Sequence, residues 1–265
     1  MSPIGNHVRH SFFRASIAWL ALATALLTGC VRHATKSAAI TWNDAQQMVL
    51  VTTGDWNADH GTLRTFVRDG DDWRAVTAAA PVTVGKAGSA WGLGLNAPQP
   101  GAQKQEGDGR APAGVFRIGT AFGYADTVRT TLPYAAMQAS DWCIDVSTSP
   151  LYNRIVDADA VGKAAIEGST EPMRRDLHAD GDQRYKLGFV IEHNLQARPG
   201  GGSCIFAHPW KAPGEATAGC TAMDEPVMRE LLAWLDPRRR PVFVLLPEAE
   251  YARLKGDWQL PEVAL

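Results

Sequence analysis

The sequence predicts a mainly β domain of the α+β class, with mixed sheets packed as a sandwich or partial barrel and one main helix behind Cys220. Short runs rich in Val, Thr, Trp and Phe, separated by Gly, Asp and Asn, read as strands joined by hairpins. A switch to helical spacing behind Cys220 predicts the helix. The 265 residues supply enough material for one large core.

At the N-terminus, Arg9, His10 and Arg14 precede an apolar run over 15–27. That run is shorter than the roughly 20 apolar residues a spanning helix needs, and a basic front with small residues behind it reads as an export signal over 1–29. Its end, Leu27-Thr28-Gly29-Cys30, resembles a bacterial lipobox, which implies cleavage before Cys30 and lipidation of that cysteine. An uncleaved anchor, or an ordinary signal cut nearby, is the alternative. A polar tether over 30–40 would follow.

Strands are expected at 48–52, 62–68, 73–77 and 115–118, with a turn at Arg68-Asp69-Gly70-Asp71-Asp72. The polar segment 158–184 reads as a long excursion over the surface. Two further strands, 185–193 and 204–208, are joined by a loop holding Pro199-Gly200-Gly201-Gly202, which places His193 and His208 near strand ends. Val227, Met228, Leu231, Leu232 and Leu235 then recur at helical spacing. Asp224 is available as N-cap, Pro226 falls in the first turn and Pro237 acts as terminator. That order sets Cys220 on the approach to a helix N-terminus, whose amides lower a thiol pKa where the geometry permits. Val242-Phe243-Val244-Leu245-Leu246 reads as a buried last strand. One domain over 41–249 and a tail over 250–265 complete the organisation.

Removing the signal leaves about 236 residues with a net charge of about −4, from −2 for the whole chain. This balance excludes nucleic acid as a partner, because the basic triplet Arg238-Arg239-Arg240 fits a solvated helix end. Oligomeric state is not written in the sequence.

Four cysteines in an exported chain invite pairing. With Cys30 lipidated and Cys220 reactive, Cys143 and Cys204 remain, either bridged or as two buried thiols; spacing cannot supply the Cα separation that decides it. Zinc is the rival use of Cys204, His208, Cys220 and His193, but these spacings match no common zinc module, and no metal or other cofactor is expected. Thr217-Ala218-Gly219-Cys220, with His208 twelve residues earlier, offers a thiol, a base and backbone amides from one stretch of chain. Gly219 lets the backbone approach closely. Thr217, Ala218, His193 and Trp210 are the candidate substrate contacts, His193 being equally compatible with a structural role.

His208 followed by Thr217-Ala218-Gly219-Cys220 resembles the signature of the L,D-transpeptidase catalytic-domain family of cell-wall enzymes. The likeness extends through Val84-Gly85-Lys86, Trp91-Gly92-Leu93-Gly94-Leu95, Gly107-Asp108-Gly109-Arg110-Ala111-Pro112-Ala113-Gly114-Val115-Phe116, Tyr152-Asn153 and Leu187-Gly188-Phe189-Val190-Ile191. Ala218 stands where the family often has histidine, Ala222 where it has Arg or Asn, and Ala111 where threonine is usual. The resemblance implies acyl transfer on peptidoglycan stem peptides through a thioester on Cys220, with His208 as base. A backbone carbonyl, Asp145 or Glu192 would orient His208. It leaves open a hydrolytic member of the family, or an envelope lipoprotein that binds peptidoglycan without chemistry. The body of the protein would lie in the periplasm, held to a membrane by the lipid.

Overall fold

A computed structural model describes residues 41–263. The expected signal, the tether and Cys30 lie outside the described residues. β1 (Gln47–Thr53) and β2 (His60–Asp69) pair antiparallel, with Met48 opposite Phe66. β2 turns into β3 (Asp72–Ala75) at Gly70, whose φ of +61° is the left-handed conformation glycine adopts without penalty. β4 (Ala80–Thr83), β5 (Ser89–Trp91), the long β6 (Ala111–Gly123) and β7 (Tyr134–Ala136) follow. After β8 (Asp141–Cys143), β9 (Ile155–Asp157) and β10 (Glu171–Pro172) come β11 (Leu187–Ile191), β12 (Phe206–Pro209), β13 (Thr221–Met223) and β14 (Val242–Pro247).

The main sheet runs in the order β1-β14-β6-β11-β12-β13-β4-β2-β3, with β5 and β7 attached to β6. Because β1 also pairs with β2, the sheet closes on itself like a barrel. β8, β9 and β10 form a separate small sheet. β1 and β14 are buried at every position and pair parallel, which explains their unbroken apolar runs: both faces are covered. The helix Glu225–Trp234 packs on β11 and β12, burying Met228, Leu231 and Leu232. Each such side chain contributes roughly 1.5–3 kcal/mol of apolar burial.

The segment 158–184 runs over the surface as expected, with about half of its residues exposed. It also carries β10 and short helices at Ala158–Val161 and Arg175–His178, and Gly168, Thr170, Glu171, Arg175 and Arg184 line the cleft described below. Two expectations are corrected. The stretch after 249 is not a tail, since helix Glu248–Leu254 packs on β14 and β1 with Tyr251, Leu254, Trp258 and Leu260 buried. Tyr251 and Leu254, three apart, give it one covered face. Finally, β13 lies between Cys220 and the helix, so the sulfur does not sit at the helix N-terminus. Asp224 occupies the N-cap position without making a side-chain cap bond.

Candidate active site

Parallel pairing brings the thiol to the imidazole. β12 and β13 run side by side with His208 opposite Ala222 and Ala207 opposite Thr221, so Cys220 arrives beside Phe206. The crossover between them is pinned where it ends. Thr217 forms an isolated bridge to Gly85, its N–H donating to the Val84 carbonyl at 2.9 Å and its carbonyl accepting from Lys86 N–H at 2.8 Å. Gly85 is packed so closely that a Cβ there would lie 2.5 Å from the Gly109 carbonyl. A Cβ on Gly219 would lie 3.0 Å from the Arg110 carbonyl. The glycine blocks at 85, 107–114 and 219 are therefore parts of one backbone junction.

Cys220 is 8 % exposed and the one free cysteine among the described residues. Its Sγ accepts from Phe206 N–H at 3.3 Å and donates to the Cys204 carbonyl at 3.5 Å. Cys204 holds a left-handed φ of +54°, unusual for a side chain, and is fixed by a disulfide to Cys143 with Cα atoms 6.0 Å apart. Asn153 Oδ1 accepts from Cys204 N–H at 2.9 Å, while Asn153 Nδ2 donates to the carbonyls of His193 and Asn194. The strained cysteine is thus clamped covalently and by hydrogen bond, which aims its carbonyl at the thiol.

His208 is 2 % exposed, and its Nδ1 lies 2.7 Å from the Pro209 carbonyl oxygen. A carbonyl only accepts, so Nδ1 carries the proton and Nε2 of the neutral ring keeps its lone pair. The orienting group is therefore a backbone carbonyl; Asp145 instead accepts from Thr170, and Glu192 lines another cavity. Burial lowers the His208 pKa to about 4. Burial likewise pushes the Cys220 thiol up to about 12, with the nearby Glu171 charge adding to the rise. Phe206 N–H, Tyr185 and the Arg184 charge oppose it. At neutral pH the resting pair is a thiol and a neutral imidazole, and the helix-lowered thiol pKa is overturned because desolvation dominates where no helix end points.

Both groups line a cleft of about 540 Å³. Among the described residues no direct hydrogen bond joins them. Thr217, Ala218 and Gly219 also line it, but the Thr217 hydroxyl donates to the Cys220 carbonyl at 2.6 Å and accepts from Gly219 N–H at 3.1 Å. Thr217 is therefore a brace of the cysteine turn, its hydroxyl already used, and Ala218 is the exposed residue of that turn.

Two candidate contacts do not line this cleft. His193 accepts from Leu93 N–H at Nδ1 and donates from Nε2 to the Gly201 carbonyl, 3.1 and 2.8 Å away. With both nitrogens committed and 2 % exposure it staples the loop before Cys204, and it lines a separate apolar cavity of about 300 Å³. Trp210 donates from Nε1 to Thr83 Oγ1 at 3.1 Å and does not line the cleft.

Sequence reasoning missed one wall of the cleft. Tyr185 is buried edge-on against the His208 ring, centroids 5.2 Å apart, with Glu171, Arg175 and Arg184 beside it on the cleft. Burial raises the Glu171 pKa, which the Arg175 charge opposes. No spacing rule marks these residues, because the wall is assembled by pairing β8 with β10. Among the described residues no group of three or more His, Cys, Asp or Glu side chains is arranged to hold a metal.

A closed β-sheet with a histidine on one strand and a cysteine immediately before the adjacent parallel strand, both lining one cleft, defines a thiol–imidazole type of site. The L,D-transpeptidase catalytic-domain family (YkuD) matches residues 37–244, and the chain belongs to that family of cysteine-based peptidoglycan enzymes. No curated protein matches the chain. Among solved structures it is similar to "Structure of Bdellovibrio bacteriovorus Bd1075", at 12% identity and a TM-score of 0.39. That match covers 81% of this chain and 55% of the other.

Proposed function

We propose that the protein is an L,D-transpeptidase acting on peptidoglycan stem peptides through a thioester on Cys220. The observation that carries this reading is the shared cleft, lined by the family's cysteine and by an imidazole whose Nε2 has no hydrogen-bond partner among the described residues. His208 Nε2 takes the thiol proton as sulfur attacks the carbonyl carbon of the diaminopimelate residue. The Cys220 amide stabilises the oxyanion, the Thr217 and Gly219 amides being already donated to the Val84 carbonyl and the Thr217 hydroxyl; a good donor contributes on the order of 3–4 kcal/mol. When the tetrahedral adduct collapses, the C–N bond breaks and His208 returns the proton to the departing amine of D-alanine. An acceptor amine then attacks the thioester, again deprotonated by His208, and frees the thiol.

Substrate binding has one electrostatic task beyond alignment: a ligand filling the cleft excludes water, so the proton moves between two groups that are both uncharged at rest. That avoids holding a buried ion pair in the empty site.

Intact-mass measurement on the full chain made in a bacterium tests both this reading and the lipid anchor on Cys30. A carbapenem is expected to add one equivalent to the wild type and none to Cys220→Ala, and the chain is expected to begin at Cys30 carrying lipid. Absence of the adduct removes the enzyme reading in favour of a binding lipoprotein; an unlipidated chain removes the anchor alone. Tetrapeptide stems incubated with the protein should yield crosslinked dimers, whereas trimmed monomers would identify a hydrolase.

A further inference from the structure

The cleft wall around Tyr185 holds a cation with an unused recognition edge. Asp182, with 4% of its side chain accessible, accepts from Arg184 Nε at 2.8 Å, from Arg184 N–H at 3.0 Å and from Arg175 Nε at 3.0 Å. Arg175 spends Nη1 on Glu171 at 3.0 Å, and its guanidinium lies 5.5 Å from the Tyr185 ring centroid. Lys104, the third cation on the cleft, donates to Asp108 at 2.5 Å and to the Gln105 carbonyl at 2.6 Å. Arg184 alone of these three keeps Nη1 and Nη2 without a protein partner among the described residues.

The carboxylates lining the cleft are already engaged. Glu106 accepts from Tyr152 and Ser203, Asp145 from Thr170, and Glu171 from Arg175. The open charge is therefore positive, and it is felt at the reacting pair: Arg184 favours the thiolate of Cys220 and disfavours a second positive charge on His208. Pinned at Nε by a buried aspartate, a guanidinium presents its Nη pair as a fixed fork, the geometry that takes a carboxylate with two parallel bonds.

We propose that the Nη1/Nη2 fork of Arg184 binds the terminal α-carboxylate of the residue that leaves, so that the cleft selects stems ending one residue beyond the scissile bond. The inference rests on the acyl-transfer reading above. In such a stem the terminal carboxylate follows the scissile carbonyl by one residue, about 3.5 Å of chain. A longer stem carries an amide there, leaving the fork without its anion. Ala222, with no polar side chain, pairs within the sheet opposite His208 and Thr83 and offers no competing cation.

The test uses the full chain and three synthetic tetrapeptide stems: one with a free terminus, one amidated at that terminus, and one amidated at the diaminopimelate side-chain carboxylate. Binding is read with Cys220→Ala protein, and turnover with the intact thiol. The wild-type cleft is expected to prefer the free terminus over the terminal amide by roughly 30-fold in Kd and in kcat/KM, the scale of a charge-assisted hydrogen bond. Arg184→Gln should bring that ratio close to one, and Arg184→Lys should leave it in between. Since both peptides meet the same preparation, any loss of folded protein cancels in the ratio. A wild-type ratio near one, a ratio unchanged in Arg184→Gln, or a loss that follows the diaminopimelate carboxylate instead would overturn the assignment. Absence of turnover with the binding ratio intact would count against the acyl-transfer reading and not against Arg184.

Discussion

Burial decides how Cys220 reacts. With its pKa at about 12, the thiolate fraction below that value grows tenfold for each pH unit. Iodoacetamide should therefore label Cys220 slowly at neutral pH and keep accelerating to pH 10, without levelling near 8.5, about the value of an unperturbed thiol. A plateau in that range, measured by mass spectrometry of the Cys220 peptide, would mean that the sulfur is better solvated than its 8 % exposure implies. At this scale the proposed nucleophile and base were legible as candidates, since both fall in a motif spaced along one stretch of chain. It could not assign His193, whose partners are the Leu93 amide and the Gly201 carbonyl. Nothing local to position 193 distinguishes a staple from a ligand contact.

Among the elements, the decisive link is the disulfide between β8 and the residue two before β12. It closes a loop with a sequence separation of 61, for which chain entropy gives a stabilisation of about 4 kcal/mol. It also holds Cys204 in its left-handed conformation, with the carbonyl against the Cys220 thiol. Cys143→Ser is expected to lower stability to urea by about 2–4 kcal/mol and to slow acylation by a carbapenem. An unfolding midpoint that does not move would show that the small sheet and the Asn153 bracket suffice. Strands β1 and β14 were legible as unbroken runs of Val, Leu and Phe, and the helix after Cys220 by its period. The cleft wall was not, because Glu171–Pro172 is too short to have a period and its pairing with β8 is non-local. Helix Glu248–Leu254 escaped for a related reason: its buried residues are few and its packing partners, β1 and β14, supply the rest of the pattern.

For the molecule as a whole, acid is the exposed weakness. His193 and His208 are both held down to about 4 by desolvation, against 6.5 for the unfolded chain. Between those values the unfolded chain binds more protons, so stability is constant above about pH 6.5 and falls as acid is added, by about 3 kcal/mol per histidine once pH 4 is reached. The raised carboxyls Glu171, Glu192 and Asp141 bind protons in the folded state and offset part of this loss at the acid end. Urea midpoints measured from about pH 7 to about pH 5 should fall steadily, and His193→Gln should roughly halve the slope. Midpoints that stay level across that window would require both imidazoles to be solvated.

The closed sheet has a further consequence for how the protein is made. Its first strand, β1, is bonded on one flank to β14, the last. Until residues 242–247 have left the ribosome, that flank of β1 has no neighbour and the ring stays open. A ring whose first and last strands must meet before it locks therefore closes late, after nearly the whole domain has been synthesised.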